Sequence, residues 1–253
     1  MSRITKVGLR KLNLIAAGLH FIQAIAVLIF STNFHVPVTG NYLRFNDATQ
    51  SLEPATKTLF QMPYVWLIVG FFLLSAVAHL FIATVYNRRY NRNLSLGINK
   101  IRWVEYALSA STMMVAIGLL VGVYDASSLA MLFGLSAIMN LLGLAMEVYN
   151  QKSEKVRWLA YWIGCLAGII PWAVIAFYIW LSGNQGSGPP TFVYYIFGSI
   201  FIFFNCFAIN MFLQYKKIGK WADYLYGERV YIILSLVAKS LLAWQVFAGT
   251  LRP

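Results

Sequence analysis

Seven apolar stretches, each long enough to cross a bilayer, constrain this chain more than any other feature. A hydrocarbon core about 30 Å thick needs roughly 20 apolar residues per helix. Such stretches run at about Leu12–Thr32, Pro63–Tyr86, Ile101–Tyr124, Ser128–Tyr149, Leu159–Leu181, Thr191–Gln214 and Val230–Gly249. Polar, turn-forming separators lie between them, among them NRRYNRN, NQKSEK, SGNQGSGPP and YKKIGKWADYLYGER. The expected fold is an all-α membrane protein, one seven-helix domain over residues 1–253. Only one connection is long, Asn33 to Met62, and its turn residues and short β-prone stretches predict a small hairpin. With 60% hydrophobic and 11% charged residues the composition suits lipid, since soluble domains carry about 25% charged. Ala24-Ile25-Ala26 formally resembles a signal-peptidase site, but the apolar run continues through Phe30 and argues against cleavage.

Twenty Lys and Arg against eight Asp and Glu give a net charge of +12. In a soluble chain that would suggest nucleic acid; here its distribution explains it. Arg3, Lys6, Arg10 and Lys11, then Arg88, Arg89, Arg92, Lys100 and Arg102, then Lys152, Lys155 and Arg157, then Lys216, Lys217, Lys220 and Arg229 all fall on one side of the alternating spans, sixteen in total. The other side holds three: Arg44, Lys57 and Arg252. The positive-inside rule then puts the N-terminus in the cytoplasm and the C-terminus outside a cell membrane, with the hairpin extracellular. The charge serves topology and anionic lipid, and no nucleic-acid partner is needed. Trp66, Trp103, Trp158 and Trp180 near span ends read as interfacial aromatics. No internal repeat or matched Gly/Pro interruption supports an inverted-repeat transporter. Cys165 and Cys206, inside apolar runs, offer neither a disulfide framework nor a metal motif.

Ionisable groups inside a bilayer are costly and mark function by default. Lys239 lies ten residues past Arg229, about 15 Å into the last span. The bland reading is a lysine paired with a carboxylate or reaching a polar cavity. The sharper one is an amine held in a covalent Schiff base, for which a desolvated lysine is suited. Ser235 precedes it by one helical turn. Glu105, the best-buried carboxylate, opens the third span and is the candidate counterion, with Ser109, Thr112 and Met113 on its face. By counting, Glu105 is shallower than Lys239, so the pair requires helix tilt or an earlier start of the third span. His20, with Asn13 and Gln23 on its stripe, and His79, one turn after Ser75, fall at similar depth in the inner half. Asp125 and Glu147 sit at opposite span edges and read as caps or snorkelling groups. A long apolar ligand would need an aromatic slot, which Pro171 and Trp172, Phe201, Phe203, Phe204 and Phe207, Trp244, Met113 and Met114 can supply; singly, each is ordinary packing.

Seven spans with Lys in the last and Glu in the third resemble a rhodopsin. The inside N-terminus is opposite to ordinary microbial rhodopsins, and no DRY or NPxxY element occurs. With the RWVEYALSAS and SLVAKS segments, the chain resembles heliorhodopsins over its whole length. That resemblance implies all-trans retinal on Lys239, Glu105 as counterion, Ser235 bonded to the Schiff base, and His20 and His79 in a cytoplasmic-side polar cavity. It also implies a homodimer, a sheet in the first outer loop and a slow photocycle. The leading function is a light sensor acting through an unidentified cytoplasmic signalling partner. The alternative is a light-driven proton pump or channel, and a third reading is a light-independent seven-helix receptor with Lys239 paired to Glu105. Against a pump, the outer halves hold only neutral polar groups such as Gln23, Thr112, Ser136, Ser199 and Gln245, and the position eleven residues after Glu105 is Ala116. No nucleophile–base set or metal motif supports an enzyme.

Overall fold

The computed structural model describes residues 4–184, 186 and 188–252. Arg3 of the basic set and Gln185 and Ser187 of the SGNQGSGPP connection lie outside them. In chain order the elements are α1 (Lys6–Phe30), β1 (His35–Asn46), β2 (Ser51–Pro63), α2 (Val65–Ala83), α3 (Asn87–Ser95), α4 (Lys100–Leu120), α5 (Ala126–Asn150), α6 (Leu159–Asn184), α7 (Thr191–Tyr215) and α8 (Tyr224–Val246). All the helices except α3 are long and apolar enough to span a bilayer. They pack side by side in the order α6, α5, α4, α2, α1, α8, α7. Alternating directions gather the start of α1, all of α3 and the α5–α6 and α7–α8 connections at one end, called the basic end below.

The opposite end carries the hairpin. Strands β1 and β2 pair antiparallel from His35↔Pro63 to Asn46↔Ser51, with a bulge between Val38 and Thr39. Val36 and Val38 are buried in the main core cluster, which seats the hairpin on the bundle. Thr39 N donates to Tyr124 O at 2.8 Å, and Thr32 N donates to Leu251 O at 2.7 Å, tying both the hairpin and the end of the chain to this face.

Capping explains where the helices depart from the apolar runs. Thr5 accepts a bond from Gly8 N and starts α1 six residues before the apolar stretch. Asp223 accepts from Leu225 N and starts α8 at Tyr224, inside the separator. The NRRYNRN separator is itself helical, because Tyr90 and Leu94, one turn apart, bury against Leu9, Ile82 and Ile232. Its polar composition concealed a helix that lies at the basic end rather than crossing the membrane. Trp66 and Trp180 are exposed, as interfacial residues are, but Trp103 is buried. Its ring occupies the space a Cβ at Gly143 would need, so the missing side chain lets α4 and α5 approach.

Candidate functional site

Lys239 is buried in the bundle interior, 3% exposed, and its Nζ donates to Glu105 Oε1 and to Ser235 Oγ, each at 2.8 Å. Despite the depth difference counted along the sequence the two groups meet, the long lysine side chain leaning toward the N-terminus of α8. The lysine therefore reaches back past Ser235 toward the basic end. Ser75 Oγ, from α2, donates to the same carboxylate oxygen at 2.6 Å. Buried Ser109 stands one turn beyond Glu105 on α4. The Tyr106 ring lies 5.2 Å from Nζ, a cation–π contact.

His79 and His20 form the next layer toward α1, their rings stacked 5.7 Å apart. The Leu9 carbonyl can only accept, so the Asn13 atom bonded to it at 2.8 Å is the amide NH2. Asn13 Oδ1 therefore faces His79 Nδ1, at 2.7 Å, and that nitrogen carries the hydrogen. In neutral His79 the bare lone pair then sits on Nε2, which has no protein partner among the described residues; neither does any nitrogen of His20. From His79 the bonds continue: Asn13 Nδ2 to Tyr90 Oη at 3.5 Å and Tyr90 Oη to Glu228 at 3.0 Å. Each donor in this line points toward Glu228.

Glu228 belongs to a buried cluster that sequence reasoning missed. Arg102 donates to both Glu228 and Glu147, with all three side chains buried. Asn99 adds its side-chain amide to Glu228 at 2.7 Å and its backbone N–H to Glu147 at 2.9 Å, and Tyr224 Oη donates to Glu147 at 3.0 Å. The guanidinium lies 4.0 Å from the Tyr231 ring centroid. Glu147 is thus no snorkelling edge residue, and Arg102, counted above among the cations of one side, is buried. Burial compels these charges to pair, but they are far apart in sequence, so only folding reveals the partners. Asp125, by contrast, caps α5 at the surface, accepting from Ser128 N at 2.9 Å and from the Ser127 hydroxyl. Those bonds, with Asn41 N–H, hold its carboxyl down at about 2.

Beside Lys239 lies a narrow apolar pocket walled by Tyr106, Met113, Met139, Phe204 and Phe207, with Asn140 as a polar member. A second pocket shares Met139, Asn140, Phe204 and Phe207 and extends between α5, α6 and α7. Met113, Phe204 and Ser235 line the first directly. Trp172, next to buried Pro171 in α6, packs edge-on against Phe204 from behind at 5.4 Å. Trp244 does not join them. Five residues after Lys239 it points to a different face of α8, half-exposed, where its Nε1 donates to Gln23 Oε1 at 3.0 Å. Met139 and Asn140 were not legible as wall residues, because α5 carries no charged marker near them. An amine at one end of a long apolar slot, with a carboxylate against it, suits an elongated apolar aldehyde bound covalently at Lys239.

No curated protein matches the chain. Among solved structures, the fold resembles a light-driven proton pump, LR (Mac), from Leptosphaeria maculans, with TM-score 0.68, 16% identity, and coverage of 98% of this chain and 97% of that one. It also resembles a cyanorhodopsin from the cyanobacterium Tolypothrix sp., with TM-score 0.61, 15% identity, and coverage of 99% and 96%. At such identities the likeness is one of fold. The family model described as heliorhodopsin matches residues 9–251, nearly the whole chain, and the chain therefore belongs to the heliorhodopsin family.

Proposed function

We propose that this protein is a membrane light sensor carrying all-trans retinal on Lys239 as a protonated Schiff base, cycling slowly and moving no sustained ion current. Family membership supports a retinal chromophore. The observation that carries the reading is the buried Lys239–Glu105 contact opening onto an apolar slot. When bound, retinal supplies light absorption and isomerisation about a double bond. The chain's own residues do the rest. Glu105 holds a negative charge beside the nitrogen, Ser75 fixes that carboxylate, and Ser235 offers the nitrogen a hydroxyl. Phe204, with Trp172 behind it, restrains the slot, and the buried interior keeps water from the amine.

The absence of transport is supported by where buried charge lies. Among the described residues, the buried charged and histidine side chains are His20, His79, Arg102, Glu105, Glu147, Glu228 and Lys239, all at the Lys239 level or toward the basic end. From there to the hairpin the core is built of residues such as Met114, Ala116, Ile117 and Leu242. An apolar half-bundle opposes a charge, since even a side-chain charge at mid-bilayer costs roughly 2.5–3.5 kcal/mol. The bonded line from His79 through Asn13 and Tyr90 to Glu228 instead supports an output at the basic end, and the charge count supports a cytoplasmic position for that end. The reading includes a homodimer and a signalling partner at that end.

Reconstitution with all-trans retinal should give a visible band that hydroxylamine bleaches and that Lys239→Ala never develops. A coloured Lys239→Ala protein ends the assignment. Voltage-clamped cells expressing the coloured protein should show no sustained photocurrent, and a steady current that vanishes in Lys239→Ala would establish the pump or channel instead.

A further inference from the structure

The outer face formed by α1 and α8 carries a groove with no part in the Lys239 site. At the basic end it opens into a surface pocket lined by Thr5, Gly8, Lys11, Leu12, Ile15 and Arg229. Lys11 and Arg229 each stand five residues into their helices, so both lie about 8 Å from the helix starts. Their neighbours are engaged: Lys6 Nζ donates to Asn91 O and Arg10 Nε to Ala83 O, each at 2.9 Å. Lys11 and Arg229 are exposed and outside every ion pair formed among the described residues.

Toward the hairpin end the surface beneath these two cations turns apolar on both helices. Ile15, Leu19 and Ile22 follow Lys11 along one exposed face of α1, and Ile233 and Val237 follow Arg229 at successive turns of α8. The Trp244–Gln23 bond crosses the two helices at the far end. From Lys11 to Gln23 is twelve residues, about 18 Å, slightly more than half of a hydrocarbon core of about 30 Å. Two level cations thus stand above an apolar track one leaflet deep.

We infer that this groove binds one anionic phospholipid of the leaflet at the basic end, its phosphate between Lys11 and Arg229 and an acyl chain along the α1–α8 seam. Two cations without a protein anion favour a headgroup with net negative charge over a zwitterionic one, which brings its own cation. A soluble phosphate would meet the cations but leave the apolar track unused.

Native mass spectrometry of the full chain in detergent tests this without reference to colour, so its outcome is separable from that of the retinal reading. The probes are phosphatidylglycerol and phosphatidylcholine with the same acyl chains. The chain should retain phosphatidylglycerol preferentially, and Lys11→Gln with Arg229→Gln should weaken it by roughly five-fold per cation. Arg10→Gln, altering a cation already bonded to α2, should leave retention unchanged. Glycerol phosphate in excess should not compete. Equal retention of the two lipids, an undiminished phosphatidylglycerol adduct in the double variant, or displacement by glycerol phosphate would overturn the inference.

Discussion

Under the proposed function, Glu105 is the residue that should set the colour of the site. Its carboxylate accepts from Lys239 and Ser75, so it holds negative charge at the nitrogen end of the slot. A positive charge pinned there stays localised. In Glu105→Gln the charge should spread along the bound polyene, and the absorption maximum should move to longer wavelength. An unchanged spectrum would transfer the counterion role to another group. Sequence pattern identified this pair, because ionisable residues are rare in apolar spans and each is conspicuous. It could not identify Trp244 as an outsider, since which face of α8 meets the slot depends on its neighbours.

At the scale of elements, the Arg102 cluster fastens α3, α4, α5 and α8 together at the basic end, through Tyr90, Asn99, Glu147 and Glu228. Removing the shared cation leaves two carboxylates buried without their partner, and breaking such pairs costs about 3–5 kcal/mol. Arg102→Met should therefore lower the thermal midpoint by several degrees, and Arg102→Lys should recover only part of it, since one ammonium cannot reproduce the forked contact. A wild-type midpoint in Arg102→Met would refute the fastening role. Asp125, which caps α5 and accepts from Asn41 N–H in β1, adds a further tie between the hairpin and the bundle. Its carboxyl is held at about 2, below the ordinary 3.8, so its contribution is fully present above about 4 and lost as pH falls through about 2. Hydrogen exchange at Asn41 and Ser128 should accelerate across that window, and Asp125→Asn should remove the pH dependence. An equal acid response in that variant would place the titrating group elsewhere.

For the whole molecule, orientation is a matter of charge on either side of the spans. Sixteen Lys and Arg on one side of the spans along the sequence against three on the other predict an N-terminal tag shielded in intact cells and a C-terminal tag open to added protease. The reverse accessibility would invert the topology and put the Arg102 cluster outside. Such a tag experiment also fixes which leaflet supplies the lipid inferred for the α1–α8 groove.

Local composition sufficed for much of this architecture. Seven spans, their alternating directions, the charge asymmetry and the candidate pair of Lys239 and Glu105 follow from runs of apolar residues and the scarcity of charge within them, which the cost of placing polar groups in lipid enforces segment by segment. The rest depends on which segments meet. The NRRYNRN segment is helical because Tyr90 and Leu94 find partners on α1, α2 and α8. Arg102, Glu147 and Glu228 look like edge charges until packing brings three helices together, and the hydrogen on His79 Nδ1 is fixed by a carbonyl on another helix. Hydrophobicity is a property of each stretch, whereas pairing, tautomer and cavity shape are properties of neighbours, and neighbours exist only in the folded bundle.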